Sequence, residues 1–543
     1  MNTLFYGDNL EVLREHIADD SVDLVYLDPP FNSKRDYNIL FKEADGLAPA
    51  SQIKAFGDTW QYSEETVRTR DEIADISLRY GCPKLPLMID GFVDVLGHND
   101  VTAYLVMMAI RLLELKRVLK PTGSFYLHCD PTASHYLKII LDTIFGQQNF
   151  RNEITWKRTS SHNDATRKFG DLADIIFFYS KSGDYVFHPQ YGEYDEKYLR
   201  DFYRHVDENG RTYRLSDLRS PNPRPNLTYD YKGYKPHPNG WAVSREKMEV
   251  LDAEGRLYFP KLQTGRIQLK RFLDEMAGMP IGNVWDDLPP ISARAQERLG
   301  YPTQKPEALL ERIIRASSNP GDVVLDPFCG CGTTVSVAQK LGRVWQGIDV
   351  TYLSIALIES RLKAQYDLKP KTDYRVVGVP ADLASALDLS RRDAYQFQFW
   401  ALTLIPAFPA GGVEKKGADR GIDGLISFVD GAARRSQQII VQVKGGHVSV
   451  PHIRDLRGVI EREKAAMGFY VCLETPTKPM LIEAAGAGSY KSELWKGTYP
   501  RIQIRTVEEL LNGQRFDYPS HVTAGGKQAA RALDNSGQAT LEM

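Results

Sequence analysis

Along the first third of the chain, apolar and polar positions alternate between two periods. Thr3 to Tyr6, Leu24 to Leu27 and Ser124 to His128 are short apolar runs that read as strands. Between them, apolar positions recur every three or four residues, the spacing of a helix with one buried face. Asn9 to Ile17 is the first such helix. Asp100 to Lys120 is the longest, with a core stripe of Tyr104, Leu105, Met108, Leu112, Leu115 and Leu119 and a stop at Pro121 and Gly123. Asp130-Pro131 opens another helix with an N-cap acceptor and a proline in its first turn. Ile154 to Arg158 and Asp174 to Tyr179 are the next two elements. This alternation predicts an α/β fold, a parallel sheet with helices on both faces. Asn32 to about Pro86 interrupts it with a polar, irregular stretch, of a length expected of a functional loop or of partial disorder.

Between about Gln190 and Gly300 the alternation fails. It resumes with a helix from Pro306 to Ser317, a strand ending at Asp326, a helix from Val335 to Leu341, a strand from Val344 to Asp349 and a helix from Tyr352 to about Tyr366. The pattern divides the chain into residues 1–189, an inserted region 190–300, a second half of the same sheet at 301–370, a linker at 371–394, a further domain at 395–515 and a disordered tail at 516–543.

Composition changes this picture little. At 543 residues and 42% hydrophobic, the chain can bury cores in two or three domains. A net charge of −2 and a pI near 6.6 give no global pull toward nucleic acid, so any such contact must come from local patches. Five cysteines without paired spacing argue for a reducing compartment. No apolar run approaches the ~18 residues of a membrane span and no leader precedes the first strand, so a cytoplasmic protein without a membrane partner is expected.

The candidate chemistry begins where the second strand ends, at Asp28-Pro29-Pro30-Phe31. An exocyclic amino nitrogen of a nucleobase is a poor nucleophile, because its lone pair is delocalised into the ring. Two acceptors must draw its hydrogens out of plane, and the Asp28 carboxylate and Pro29 carbonyl supply them. The prolines stiffen the backbone, and Phe31 can stack on a flipped base. Asp326-Pro327-Phe328-Cys329-Gly330-Cys331-Gly332-Thr333 is a Gly-rich turn between a strand and a helix. Asp349 ends the next strand about 20 residues later, where nucleoside-binding folds hold ribose hydroxyls. The turn lacks a lysine and a pyrophosphate fingerprint, which suits a nucleoside without phosphate.

Together these motifs resemble an S-adenosylmethionine-dependent DNA amino-methyltransferase of the beta group, in which the catalytic motif precedes the cofactor motif. The resemblance implies a Rossmann-like sheet, S-adenosylmethionine as cofactor, and Asp28, Pro29, Pro30 and Phe31 as the catalytic loop. Phe328, Gly330, Gly332, Thr333 and Asp349, with Asp326, match the cofactor site. Tyr301 to Pro306, with Thr303 and Lys305, resembles the segment over the methionine end, and Tyr6 to Asn9, with Asp8, a further wall. Trp156, Lys157 and Tyr179 are candidates to flank the target base. His128 reads either as a general base or as a hydrogen-bonded strand-end residue. Asp-Pro-Pro-Phe rather than Ser-Pro-Pro favours N6 of adenine over N4 of cytosine. The resemblance implies double-stranded DNA as substrate and favours a homodimer. Region 190–300, rich in Arg, Asn, Tyr and Pro, as in Arg219 to Leu227, is assigned to target recognition; a solvated insertion has the same make-up.

Beyond the linker, Asp423 precedes a strand at Leu425 to Phe428, and Gln442 and Lys444 share a face of the next strand. This stretch resembles the Mrr-like branch of restriction endonucleases, a PD-(D/E)XK-like α/β domain in which Asp423, Gln442 and Lys444 would form the nuclease site and Asp423 would bind Mg²⁺. Gln442 and Gln398 depart from that pattern, standing where acids are common. The expectation is a methyltransferase fused to an endonuclease as one restriction-modification enzyme; the alternative is a solitary methyltransferase whose last domain only binds DNA. Gly486 to Ser492 is not a P-loop, because Tyr490 stands where a glycine is needed.

Overall fold

The computed structural model describes residues 1–30, 36–40, 52–57, 62–159, 169–292, 295–299, 301, 303–409, 421–430, 435–494 and 496–519. Its main sheet contains β1 (Thr3–Tyr6), β2 (Val22–Leu27), β3 (Leu119–Cys129), β4 (Phe150–Lys157), β5 (Ala173–Ser180), β6 (Val284–Trp285), β7 (Val323–Asp326), β8 (Val344–Asp349) and β9 (Arg375–Val377). Their order is β6-β4-β5-β3-β2-β7-β8-β1-β9. The sheet is mixed rather than all parallel: β5 runs antiparallel to β3 and β4, and the other neighbours are parallel. Consecutive strands such as β4 and β5 pair antiparallel unless a crossover returns the chain to its starting edge. The catalytic and cofactor halves share this one sheet through β2 and β7, with Leu24 opposite Val324 and Val25 opposite Leu325.

The helix Asp100–Val118 is buried on nearly every side, and its stripe of Tyr104, Leu105, Met108, Leu112 and Leu115 joins the main core with Leu137, Ile140 and Leu141 of helix Pro131–Phe145. Leu119 belongs instead to β3, which also takes in Pro121 and Gly123. The register against β2 shifts there between Val22 and Leu24, an irregularity that accommodates a proline and a glycine. The stretch expected to be irregular before Pro86 holds helix Glu64–Ser77, and Pro86 lies in the first turn of a second, Leu85–Leu96. The first buries only Thr66, Ile73 and Ser77, too few apolar positions to print a helical period. Strands Asp36–Leu40 and Gln52–Gly57 pair antiparallel in the same stretch.

Pro189–Gly282 forms a compact unit of its own. An antiparallel sheet of His205–Val206, Thr212–Asp217, Gln268–Phe272 and Leu257–Tyr258 stands beside a core of Leu218, Tyr231, Tyr234, Trp241, Met248, Leu251 and Ile267. Tyr231, Tyr234 and Trp241 of this region are therefore core side chains. Residues 221–226 and Arg219 are exposed.

The stretch expected as a linker contains β9, paired to β1, and helix Leu383–Arg392. A second sheet follows, made of β10 (Phe408–Pro409), β11 (Gly424–Asp430), β12 (Arg435–Lys444), β13 (Met467–Cys472) and β14 (Ile502–Thr506), in that order. Helix Val450–Arg462 makes the crossover between parallel β12 and β13. Among the described residues no helix is long and apolar enough to cross a membrane. All five cysteines are buried free thiols.

Candidate cofactor and catalytic site

From β2 the chain winds to β3 on one side, and from β7 to β8 on the other. Such a reversal opens a crevice beyond the carboxyl ends of the strands, where ligands bind in open α/β sheets. A cavity of about 320 Å³ lies here, within the size class of cofactor pockets. Asp28, Pro29 and Pro30 line it together with Asp8, Thr303, Lys305, Asp326, Phe328, Gly330, Thr333 and Asp349. Gly332 stands one step back as the cap of helix Thr333–Lys340. Phe31 lies outside the described residues.

The Gly-rich turn owes its shape to two left-handed residues, Gly330 at φ +48° and Gly332 at φ +73°. A Cβ at Gly332 would come within 2.6 Å of Ile358 Cγ1. The turn is tied to Asp349: Gly330 N–H donates to Oδ2 at 2.9 Å, and Thr351 donates to Oδ1 through N–H at 2.9 Å and Oγ1 at 2.7 Å. Burial raises the Asp349 carboxyl, while these donors pull it back. Asp326 is 3% exposed, and burial pushes its carboxyl up to about 7, against hydrogen bonds from Thr334 and the Phe328 N–H. On the facing wall Asp8 caps helix Asn9–His16, accepting from Leu10 N–H at 2.8 Å, and receives Arg111 Nη2 at 2.6 Å. Arg111 also donates to Asn9, whose Nδ2 donates to the Pro327 carbonyl at 2.8 Å, so this wall is fastened to the turn.

Lys305 Nζ donates to Asp28 Oδ2, and among the described residues the buried Asp28 Oδ1 has no hydrogen-bond partner. A carboxylate oxygen left so is a strong sign of a donor still to arrive. Thr303, two residues before Lys305, has φ +61°. That is an outlying conformation for a β-branched residue and costs on the order of 1–3 kcal/mol.

Beside Asp28 runs a buried polar chain. Tyr26 Oη meets His128 Nδ1 at 3.0 Å, His128 Nε2 meets Asp174 Oδ2 at 3.1 Å, and Arg158 Nε lies 3.3 Å from Asp174 Oδ1. Burial would raise the Asp174 carboxyl, but the His128 hydrogen bond and the charges of His128, Lys305 and Arg158 hold it below its usual value. His128 is fully buried inside this chain and does not line the cavity. Trp156 stands edge-on to His128 and donates to the Leu288 carbonyl at 2.9 Å, and Lys157 is exposed at the end of β4. Tyr179 departs from expectation: it is buried and donates to Asp142 at 2.6 Å, with no part in the cavity. Sequence reasoning passed over Tyr26 and Arg111. The signal for Arg111 was there, a lone arginine inside the almost wholly apolar run from Ala103 to Leu113.

At the second sheet, Asp423 lies beside β12, its N–H donating to the Val441 carbonyl at 2.9 Å. Its carboxylate accepts from Gln398 Nε2 at Oδ1 and from the Val443 N–H at Oδ2 at 2.6 Å. The Gln442 amide donates to the Gly421 carbonyl, and Lys444 is exposed at the strand end.

Residues 22–358, more than half of the chain, match a family of N6 and N4 type described as DNA methylase. The chain belongs to the N6/N4 DNA methylase family. This methylase-family chain is 33% identical over 261 residues to the type II methyltransferase M.EcaI of Enterobacter cloacae, covering 48% of the chain and 57% of that enzyme. It is 27% identical over 355 residues to the Mod subunit of the type III restriction-modification enzyme StyLTI of Salmonella typhimurium, 63% of the chain and 50% of the subunit. It is 26% identical over 367 residues to the DNA adenine methyltransferase YhdJ of Escherichia coli, 67% of the chain and 84% of that protein. The chain thus spans about half the length of the first two relatives. Residues 408–512 match a second family, described as NACHT-associated inactive restriction endonuclease 1.

The methylase cavity fits S-adenosylmethionine by its donor set. Asp349 suits ribose hydroxyls, the bare Gly330 turn admits a nucleoside close to the backbone, and Asp326 offers a buried acid to a cationic ligand. Mg²⁺ does not fit the second sheet's site. Asp423 is the lone acid of its trio, the flanking side chains are amides already bonded, and among the described residues no group of three His, Cys, Asp or Glu can hold a metal. The expectation of a metal at Asp423 is not met by these donors.

Proposed function

We infer that the protein transfers a methyl group from S-adenosylmethionine to N6 of adenine in double-stranded DNA. The observation that carries this reading is the meeting, in one cavity, of Asp28-Pro29-Pro30 with the turn between Gly330 and Asp349. When bound, the cofactor supplies a methyl group already activated by its sulfonium. The chain does the rest by placement. Asp349 orients the nucleoside through its hydroxyls. Asp28 and the Pro29 carbonyl draw the amino hydrogens out of the ring plane, and Asp28 is the group toward which the released proton is directed. The base must leave the duplex to reach them. Adenine is favoured by Asp-Pro-Pro-Phe and by the likeness to a protein named as an adenine methyltransferase. Exposed Arg219, Asn222, Arg224 and Asn226 support a recognition role for Pro189–Gly282, since Arg and Asn suit guanine and adenine edges.

For the domain at 408–512 the amide-capped Asp423 favours DNA binding without cleavage, in line with the family it matches. One experiment tests both readings: incorporation of labelled methyl groups into duplex DNA, with base analysis of the product and a parallel Mg²⁺ digest. Methyl-adenine without DNA breaks is expected. No incorporation would refute the first reading, and Mg²⁺-dependent breaks abolished by Lys444→Ala would refute the second.

A further inference from the structure

Lys305 reaches the cavity from a segment whose resemblance to the family implies a place over the methionine end of the cofactor. Its ammonium ends at the catalytic acid instead, donating to Asp28 Oδ2, and the two side chains are only 10% and 16% exposed. Around it the loop is fastened at several points. Gln304 donates to the Glu297 carbonyl at 2.6 Å and accepts from the Leu299 N–H at 2.9 Å, and the Glu297 carboxylate accepts from the Glu307 N–H at 3.0 Å. Tyr301 Oη meets Ser354 Oγ at 3.2 Å beside the Gly330 turn. Within these anchors Thr303 is held left-handed, and a strained residue of that kind persists only where its surroundings overdetermine it. The product of all this fastening is the place of one ammonium group.

We propose that Lys305 is a positioning residue for Asp28 and not a cofactor ligand: it fixes the carboxylate through Oδ2 and leaves Oδ1 as the acceptor for the amino group of the target base. A carboxylate without this partner would rotate about its side-chain bonds and divide its time between orientations. An ion pair shielded from water holds one orientation. The open Oδ1 fits this division of labour, because one oxygen is taken and the other has no donor among the described residues. The proposal rests on the methyltransferase reading for the identity of that donor, but the pairing itself does not.

The test uses the full chain with Lys305→Met, Lys305→Arg, Asp28→Asn and the double variant Lys305→Met/Asp28→Asn. Three quantities are measured: the S-adenosylmethionine dissociation constant, single-turnover methyl transfer to DNA, and thermal unfolding of the ligand-free proteins. Lys305→Met should bind cofactor within about threefold of the parent and lose about 100-fold or more in the transfer rate, the scale of a misplaced reacting group. Lys305→Arg should recover part of that loss. In unfolding, the double variant should fall less than the sum of the single variants. Cofactor affinity reduced tenfold or more with the transfer rate retained would overturn the proposal, as would additive unfolding shifts. If the parent transfers no methyl group, the functional reading fails by itself, while the unfolding cycle and the cofactor affinities still decide the pairing.

Discussion

Asp326 carries the clearest pH signature of any single residue in the site. Its carboxyl titrates near 7 in the folded protein, against about 3.9 in an unfolded chain. Below about pH 4 both states hold the proton and stability is unaffected. As pH rises toward 7 the unfolded chain releases the proton first, so folding loses on the order of 4 kcal/mol across that window. Asp326→Asn should flatten this limb in denaturant titrations between pH 4 and 8. A cationic cofactor prefers the ionised acid, so its affinity for the parent should rise with pH up to about 7 and then level off. Asp349 should behave differently. Asp349→Ala removes a carboxylate held by three donors, and calorimetry should show cofactor binding about 10- to 100-fold weaker. Residues such as Asp28 and Asp349 were legible in the sequence because they stand at strand ends within short motifs. Tyr26 was not, because its role depends on a partner about a hundred positions away.

At the scale of elements, strong periodicity decided what could be read. Helices with a broad apolar face, such as Asp100–Val118 and Pro131–Phe145, were legible, as were strands ending in an acid. Helix Glu64–Ser77 was hidden because it buries a single aliphatic side chain, Ile73, and β9 because three residues carry no period. The cofactor turn makes a prediction of its own. Gly332→Ala meets both a left-handed φ and Ile358, and should lower stability by about 2–4 kcal/mol, seen as a fall in Tm. Gly321 is also left-handed, at φ +88°, but has open space around it, so Gly321→Ala should cost only about 1 kcal/mol. Equal losses at the two sites would show that the contact with Ile358 is unimportant.

The molecule as a whole separates its two proposed tasks. Every residue lining the cofactor cavity lies outside Pro189–Gly282. Replacing that unit with a short Gly-Ser linker should leave cofactor binding intact and abolish methyl incorporation into DNA; loss of cofactor binding as well would mean that the unit supports the sheet. The shared sheet could be anticipated from the sequence, since the catalytic loop and cofactor turn must meet. The order of its strands could not, because register between distant segments is fixed by packing. That order has a consequence in time. Leu24 and Val324 are neighbours in the sheet although 300 positions separate them. A ribosome adding about 5–20 residues per second needs roughly 15–60 s to span that interval. Throughout it the open edge of β2 waits beside a nascent chain that has not yet supplied its partner. Newly made protein therefore passes through a long-lived stage with unpaired edges at β1 and β2, and chaperones that shield such edges should raise the yield of folded protein more than they would for a sheet closed by neighbouring segments.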